Sequence, residues 1–245
     1  MIVKPIKTHK ITQKDNLEAI LDKYLPKIGE ETIVVVTSKI VSICEGRIVP
    51  IEGSDKNELI KEESEFYLPK GGTYDLTLTV NQNSLRVGAG VDESNGNGFY
   101  ILFPKDPQKS ANRIRDYLKK KFNIKKIGVL LTDSRTKPLR WGITGEMLSH
   151  SGFKAINNKI GKLDLFGRKL KMTQINVADE LSDAAAAVMG ESDEQTPLAI
   201  ITDIPFVSFQ DHNPTKEELK LLNIELTDDV YAPLLTSVKW LKGKK

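Results

Sequence analysis

The chain has 245 residues, 36 Lys and Arg against 33 Asp and Glu, and a net charge of +3. Apolar residues make up 39% and charged residues 28%, which excludes a disordered chain and fits an ordinary globular one. The near balance of charge excludes a strongly basic nucleic-acid reader, so no nucleic acid is expected as a partner, but it leaves room for a small anionic ligand held by a few local charges.

The opening stretch MIVKPIKTHK gives a strand at 2–6 and has no apolar core of a signal peptide. A helix is expected over 15–25, then a strand at 32–37 (TIVVVT), whose continuous apolar run suits burial on both faces. Ser38 and Lys39 follow it at once, and Cys44, the single cysteine, excludes an internal disulfide and points to a reducing cytoplasm. A helix over 54–65 leads into 66–75 (FYLPKGGTYD), the best candidate for a hinge between two subdomains of one unit spanning 1–245. Strands at 76–80, 84–88 and 99–103 come next. The helix over 107–122 opens with Asp106 as N-cap and Pro107 in its first turn.

The run IGVLLT (127–132) reads as a second strand buried on both faces, followed by a polar, basic loop, TDSRTKPLRWG, over 132–142. The helix over 177–189 carries Val177, Ala178, Leu181, Ala184, Ala185 and Val188 on one stripe and stops at Gly190. A strand at 198–202 and a helix at 215–222 complete the elements, and the basic tail KWLKGKK (239–245) reads as a solvated end. Strands and helices mix without strict alternation, so the class is α+β or mixed α/β. No apolar run reaches the roughly 18 residues of a membrane span, so no membrane partner is expected.

Several sites are absent. There is no phosphate-binding GxxxxGK[ST] loop, no GxGxxG, no HExxH and no GxSxG elbow. What remains is carboxylates in loops: Asp92 within GAGVDESNGNG, Asp133 at a strand end, and Glu191 just after the Gly190 helix stop. Two aspartates from separate strand ends suit a hard divalent cation, which takes oxygen ligands and completes its shell with substrate phosphates. DESNGNG reads equally as a plain hairpin turn, since Asp, Ser, Asn and Gly all form turns. Arg135, Lys137 and Arg140 crowd after Asp133 and suit phosphate or carboxylate ligands, or simply form a solvated basic loop.

Taken in order, VVVTSKIVSICEGRIV (34–49), GAGVDESN (88–95), LFPKDPQKSANRIR (102–115), LLTDSRTKPLRWG (130–142), DLFGRKLKMT (164–173) and VADELSDAAAAVMGE (177–191) resemble the γ-glutamyl ligase family that finishes coenzyme F420. The resemblance covers residues 1 to about 210. It implies an α+β protein of two intertwined subdomains that forms a homodimer in the cytoplasm. It implies a ligase that uses GTP (or ATP) and Mg²⁺ or Mn²⁺ to join the amino group of L-glutamate to a carboxylate of a coenzyme F420 precursor or a folate. Asp92 and Asp133 match ligands of one divalent ion, and Ser134 and Glu191 match positions near a second. His9, Lys10, Ile11, Thr12, Ser38, Lys39, Asn95, Met189, Gly190 and Glu191 match nucleotide-contacting positions. Asp92, Asp133 and Arg140 are the residues expected to serve catalysis, with Arg140, Lys137 or Arg168 placed to hold glutamate's carboxylates or the acceptor's phosphate.

Two departures from the family pattern matter. The usual SKAEGR block reads Ser42-Ile43-Cys44-Glu45-Gly46-Arg47, so Ile43 replaces a nucleotide-contacting lysine. If 38–44 is helical, Lys39 lies four residues before Ile43 on the same face and takes over its charge. The loop after Asp133 lacks the family's glycine and aromatic residue but keeps Arg140, which resembles the branch suspected of extending folate. Two rival functions stay open: a non-catalytic nucleotide or metal binder, and a phosphohydrolase on the same fold.

Overall fold

The structure is a computed structural model that describes all 245 residues. In chain order its elements begin with β1 (Ile2–Ile6), α1 (Leu17–Tyr24), β2 (Thr32–Thr37), α2 (Ser38–Cys44), β3 (Ile48–Pro50), α3 (Lys56–Glu63) and β4 (Phe66–Tyr67). They continue with β5 (Leu78–Asn81), β6 (Ser84–Val87), β7 (Phe99–Ile101), α4 (Pro107–Phe122), β8 (Ile127–Thr136) and β9 (Ile143–Ser151). The rest are β10 (Ile156–Asn158), β11 (Gln174–Asn176), α5 (Val177–Met189), β12 (Leu198–Thr202), α6 (Lys216–Lys220), α7 (Ala232–Leu235) and β13 (Leu241–Lys242). The expected mixed α/β class is what the chain adopts, and no helix is long and apolar enough to cross a membrane.

The main sheet has the order β1-β12-β2-β8-β9, with β2 and β8 parallel and the other pairs antiparallel. Alternation along β2 and β8 feeds two cores. Val34, Val36, Val129 and Leu131 face α1, α2 and α4, while Ile33, Val35 and Leu130 face α5. Both strands are therefore apolar throughout their inner halves, as their sequences announced. The helix α5 lies close on β9 because Gly145 carries no side chain: a Cβ there would sit 2.4 Å from the Ser182 carbonyl oxygen.

A second sheet, β13-β4-β5-β6, stands beside the first, with small pairs β3–β7 and β10–β11. The stretch 66–75 forms β4 and the loop that leads to β5 of that same sheet. In that loop Tyr74 meets Trp141 edge-on at 6.3 Å between ring centres. Arg115, wholly buried on α4, donates to the carbonyls of Ile127 and Gln210 and to Asn213, which ties the segment after β12 to the core.

Three expectations need correction. The run after Leu131 is not a loop: β8 continues to Thr136 and pairs with β9, leaving only 137–142 as a hairpin tip. A bulge between Leu131 and Thr132 re-aims the strand where it leaves the core. The strand β9 itself (ITGEMLSHS) went unread because its polar and sulfur-bearing residues lack the β-branched signature. The C-terminal tail is not free either: β13 pairs with β4, Lys244 pairs with Glu62 at 3.0 Å, and Lys245 with Glu63 at 3.6 Å.

Candidate functional site

Because β2 and β8 run parallel, their carboxyl ends deliver Thr37–Lys39 and Thr132–Ser134 to one edge of the sheet. There they border a cleft of about 680 Å³. Its other walls are the N-terminal loop Thr8–Thr12, the turn around Asp92–Asn97, and the end of α5 with the loop to Pro197. Every residue matched above to catalysis, metal or nucleotide, from His9 through Glu191, lines this cleft, with Arg140 the one exception. Ile43 lines it too, one helical turn beyond Lys39, so the shared face expected of that pair is present.

Asp133 is the most closely crowded of the cleft's three carboxylates Asp92, Asp133 and Glu191. The Ser38 hydroxyl donates to its Oδ1 at 3.3 Å, and the Arg86 guanidinium lies 3.5 Å from Oδ2. Protein crowds the carboxyl although 27% of the side chain stays open to the cleft. That burial pushes its pKa up to about 6; Arg86 opposes the rise, and Glu146 and Asp92 add to it. Behind it runs a chain of buried charges. Arg86 reaches Glu146 at 2.9 Å, Ser84 donates to the same carboxylate, Arg135 lies 3.3 Å from it, and Arg135 continues to Asp179 of α5 at 3.7 Å. The Arg86 guanidinium also sits 4.8 Å from the centre of the Phe103 ring. Sequence reasoning missed Arg86 and Glu146. The only available sign was a lone arginine two residues from Ser84 on a short strand, which places both on one face.

Asp92 borders the same cleft from the turn that precedes β7. Its backbone pairs with Ile101 through two hydrogen bonds of 2.9 and 2.7 Å, so the turn reading of DESNGNG and the cleft position are both true. Its carboxylate accepts from the Ser94 amide at 2.8 Å and the Ser94 hydroxyl at 2.9 Å, and pairs with Lys39 Nζ at 2.7 Å. Burial works against its charge, but Lys39 and the Ser94 donors outweigh it and hold the carboxyl below its ordinary range. Asn95 donates to the Ser192 carbonyl at 2.9 Å and so links this turn to the loop after α5.

That loop is shaped by Gly190, whose φ of +76° ends α5 and whose missing side chain leaves room for Glu194: a Cβ would lie 2.3 Å from Glu194 Cδ. Glu191 follows, its carboxyl raised by burial and then by Asp133, with Lys39 opposing. Across the cleft mouth the His9 ring is held between the Tyr24 hydroxyl (2.7 Å) and Asp15 (2.8 Å). Asp15 in turn accepts from the amide and hydroxyl of Thr12 at 2.8 and 3.0 Å. This clamp fixes Lys10 and Ile11 along the wall, and the Thr12 amide is the main cause holding the Asp15 carboxyl below its ordinary range.

No three carboxylate, imidazole or thiol side chains stand close enough to enclose a divalent ion by themselves. Two carboxylates in one cleft do suit Mg²⁺ or Mn²⁺, which take one or two protein carboxylates and leave the remaining positions to water and phosphate. Burial is the main cause that raises the Asp133 and Glu191 carboxyls, and neighbouring carboxylates add to it in both; a bound cation would relieve that added repulsion. Ser134 and Glu191 line the same cleft.

The basic residues do not join them. Arg140 sits at the exposed tip of the β8–β9 hairpin between Leu139 and Trp141, which are 102% and 90% exposed, and it makes no ion pair within the chain. Continuation of β8 to Thr136 is the reason, because it carries the tip away from the sheet edge. Lys137 turns to Asp183 at 3.6 Å, and Arg168 is exposed in the arm between β10 and β11.

Fold and cleft together define a mixed α/β chain organised around one acid-rich cleft of small-molecule size. Residues 53–203 match the family model described as F420-0:gamma-glutamyl ligase. The coenzyme F420:L-glutamate ligase of Methanococcus maripaludis strain C6 is 34% identical over 206 residues, 77% of this chain and 82% of that one. The ligase of the same name from Methanocaldococcus jannaschii is 33% identical over 210 residues, 78% of this chain and 83% of its own. That of Methanothermobacter thermautotrophicus is 31% identical over 214 residues, 78% and 84%. The chain belongs to the F420-0:gamma-glutamyl ligase family.

Proposed function

We propose that the chain is a γ-glutamyl ligase that joins L-glutamate, through its amino group, to a free carboxylate of a coenzyme F420 precursor, using a nucleoside triphosphate, GTP or ATP. The observation that carries this reading is that Asp92 and Asp133 line one cleft bordered by the His9–Thr12 loop, Ser38–Lys39 and the end of α5. The names of the relatives supply the acceptor.

A carboxylate does not react with an amine directly, because its oxygen is a poor leaving group. The γ-phosphoryl group is first transferred to the acceptor carboxylate, giving an acyl phosphate and nucleoside diphosphate. The deprotonated amine of glutamate then attacks the acyl carbon, and phosphate departs with the oxygen. The first step brings two anions together. Asp92 and Asp133, with Ser134 and Glu191 beside them, would hold divalent ions, whose charge would offset that repulsion by several kcal/mol of barrier. Ser38 and Arg86 fix the Asp133 carboxylate from behind. Lys10 and Lys39 face the phosphates, and the His9–Asp15 clamp keeps the loop bearing Lys10 in place.

A homodimer belongs to the same proposal. The exposed apolar side chains Leu139 and Trp141 on the hairpin tip, and Leu165 and Phe166 on the β10–β11 arm, offer surface for a second copy. Sedimentation at twice the chain mass would support it, and a monomer at micromolar concentration would refute it.

Mass spectrometry of reaction mixtures tests the function. Purified protein receives GTP or ATP, Mn²⁺, glutamate, and either the coenzyme F420 precursor or tetrahydrofolate. The expected product is the F420 precursor carrying added glutamate. Glutamylated folate alone would move the acceptor to folate. Phosphate release without any glutamyl product would favour a phosphohydrolase, and no nucleotide turnover with either acceptor would favour a non-catalytic binder.

A further inference from the structure

Lys39 is the one cation bonded to a carboxylate of the proposed metal pair from inside the cleft. Its Nζ makes three contacts, all to a single turn: Asp92 Oδ2 at 2.7 Å, Ser94 Oγ at 2.8 Å and the Ser94 carbonyl at 3.1 Å. An ammonium has three donors, so this turn saturates it. Three of the roughly four acceptor sites of Asp92 are taken as well, with Oδ1 accepting from the Ser94 amide and Oδ2 filled by the Ser94 hydroxyl and Lys39. A divalent ion approaching Asp92 from the cleft meets a positive charge already seated on the oxygen it needs.

We infer that Lys39 is the internal counter-ion of the cation site, a positioning residue that holds Asp92 until a polyphosphate draws its ammonium away. The inference rests on the reading of Asp92 and Asp133 as cation ligands. Metal ion and nucleotide then bind as a coupled pair. The phosphates of a nucleoside triphosphate supply the oxygens that Lys39 loses, and its departure frees Asp92 for the metal. The long stem of Lys39, at the first turn of α2, moves the ammonium without moving backbone. No second cation waits on the next turn, where Ile43 faces the cleft, so the transfer falls to Lys39 alone on this helix. By linkage, the factor by which nucleotide strengthens metal binding equals the factor by which metal strengthens nucleotide binding.

The coupling gives a sign that a structural role does not. Free Mn²⁺ is measured by electron paramagnetic resonance during titration of the full chain without nucleotide. Lys39→Met removes the competitor, so Mn²⁺ alone binds about 3- to 10-fold more tightly than to wild type, the factor a partly exposed ion pair commands. Affinity for a non-hydrolysable GTP analogue with Mn²⁺ falls in the same variant. Lys39→Arg keeps the counter-ion and leaves Mn²⁺ affinity within about twofold of wild type. Lys56→Met removes a lysine that pairs with Glu93 of the same turn at 3.2 Å without touching Asp92, and it also leaves Mn²⁺ affinity near wild type. Thermal unfolding confirms that each variant is folded. Unchanged or weaker Mn²⁺ binding by Lys39→Met overturns the inference, as does an equal gain in Lys56→Met. If Mn²⁺ binds wild type and Asp133→Asn equally, the metal reading itself fails, and the two failures are thereby told apart.

Discussion

The two halves of β8 sit in opposite environments. From Ile127 to Thr132 the strand is buried, parallel to β2, and flanked by cores on both faces. From Asp133 onward it is polar, paired only with β9, and ends in a hairpin tip that projects into solvent. The inner half obeys burial; the outer half is where the proposed function places the chemistry. The bulge between Leu131 and Thr132 marks the change, and Asp133 stands just past it, close enough to the core to be crowded and open enough to reach the cleft. A carboxylate one step from a rigid, buried strand is held in place without being sealed from ligands.

That contrast is open to attack from both sides. The largest effect is expected from Asp133→Asn, which keeps the shape and removes the charge: ligase turnover falls about a thousandfold or more, measured as product formed per enzyme at saturating Mn²⁺. Turnover within tenfold of wild type would show that the outer half is not the catalytic end. On the inner half, Leu131→Ala opens a cavity in a fully buried position and costs about 2–5 kcal/mol in denaturant unfolding.

A smaller effect follows from the Asp133 pKa. Its folded value of about 6 lies above its ordinary 3.8, so the folded chain binds this proton more tightly than the unfolded one. The resulting stabilisation is fully present below about pH 4 and is lost as pH rises through 6, at most about 3 kcal/mol in all. Without metal, the stability of wild type relative to Asp133→Asn should therefore decline between pH 4 and 7. A difference that is flat with pH would mean the carboxyl is not crowded. The smallest effect belongs to the tip, where Arg140→Ala should change unfolding free energy by less than about 0.5 kcal/mol. A loss above 1 kcal/mol would show the tip to be packed rather than free.

The same contrast separates what the sequence made legible from what it hid. The inner strands, and the helices α4 and α5, are plain in it because burial, caps and a glycine stop each leave a local mark. The cleft residues were reachable through a pattern of ordered blocks, and the fold brings almost all of them together. The hidden features are those set by tertiary neighbours. Arg86 and Glu146 meet behind Asp133 from separate sheets, and nothing near either in sequence announces the meeting. Arg140 is close to Asp133 in sequence, but the six residues of strand and turn between them carry it out to the exposed hairpin tip. The tail looked solvated because it is basic, yet acids on α3 pair with it.

The most direct test of the whole account is the dependence of phosphate release on its co-substrates. With nucleoside triphosphate, Mn²⁺ and protein present, release should require both the coenzyme F420 precursor and glutamate, and should collapse in Asp133→Asn. Release that proceeds equally well without glutamate, or that survives in Asp133→Asn, would contradict a ligase working from this cleft.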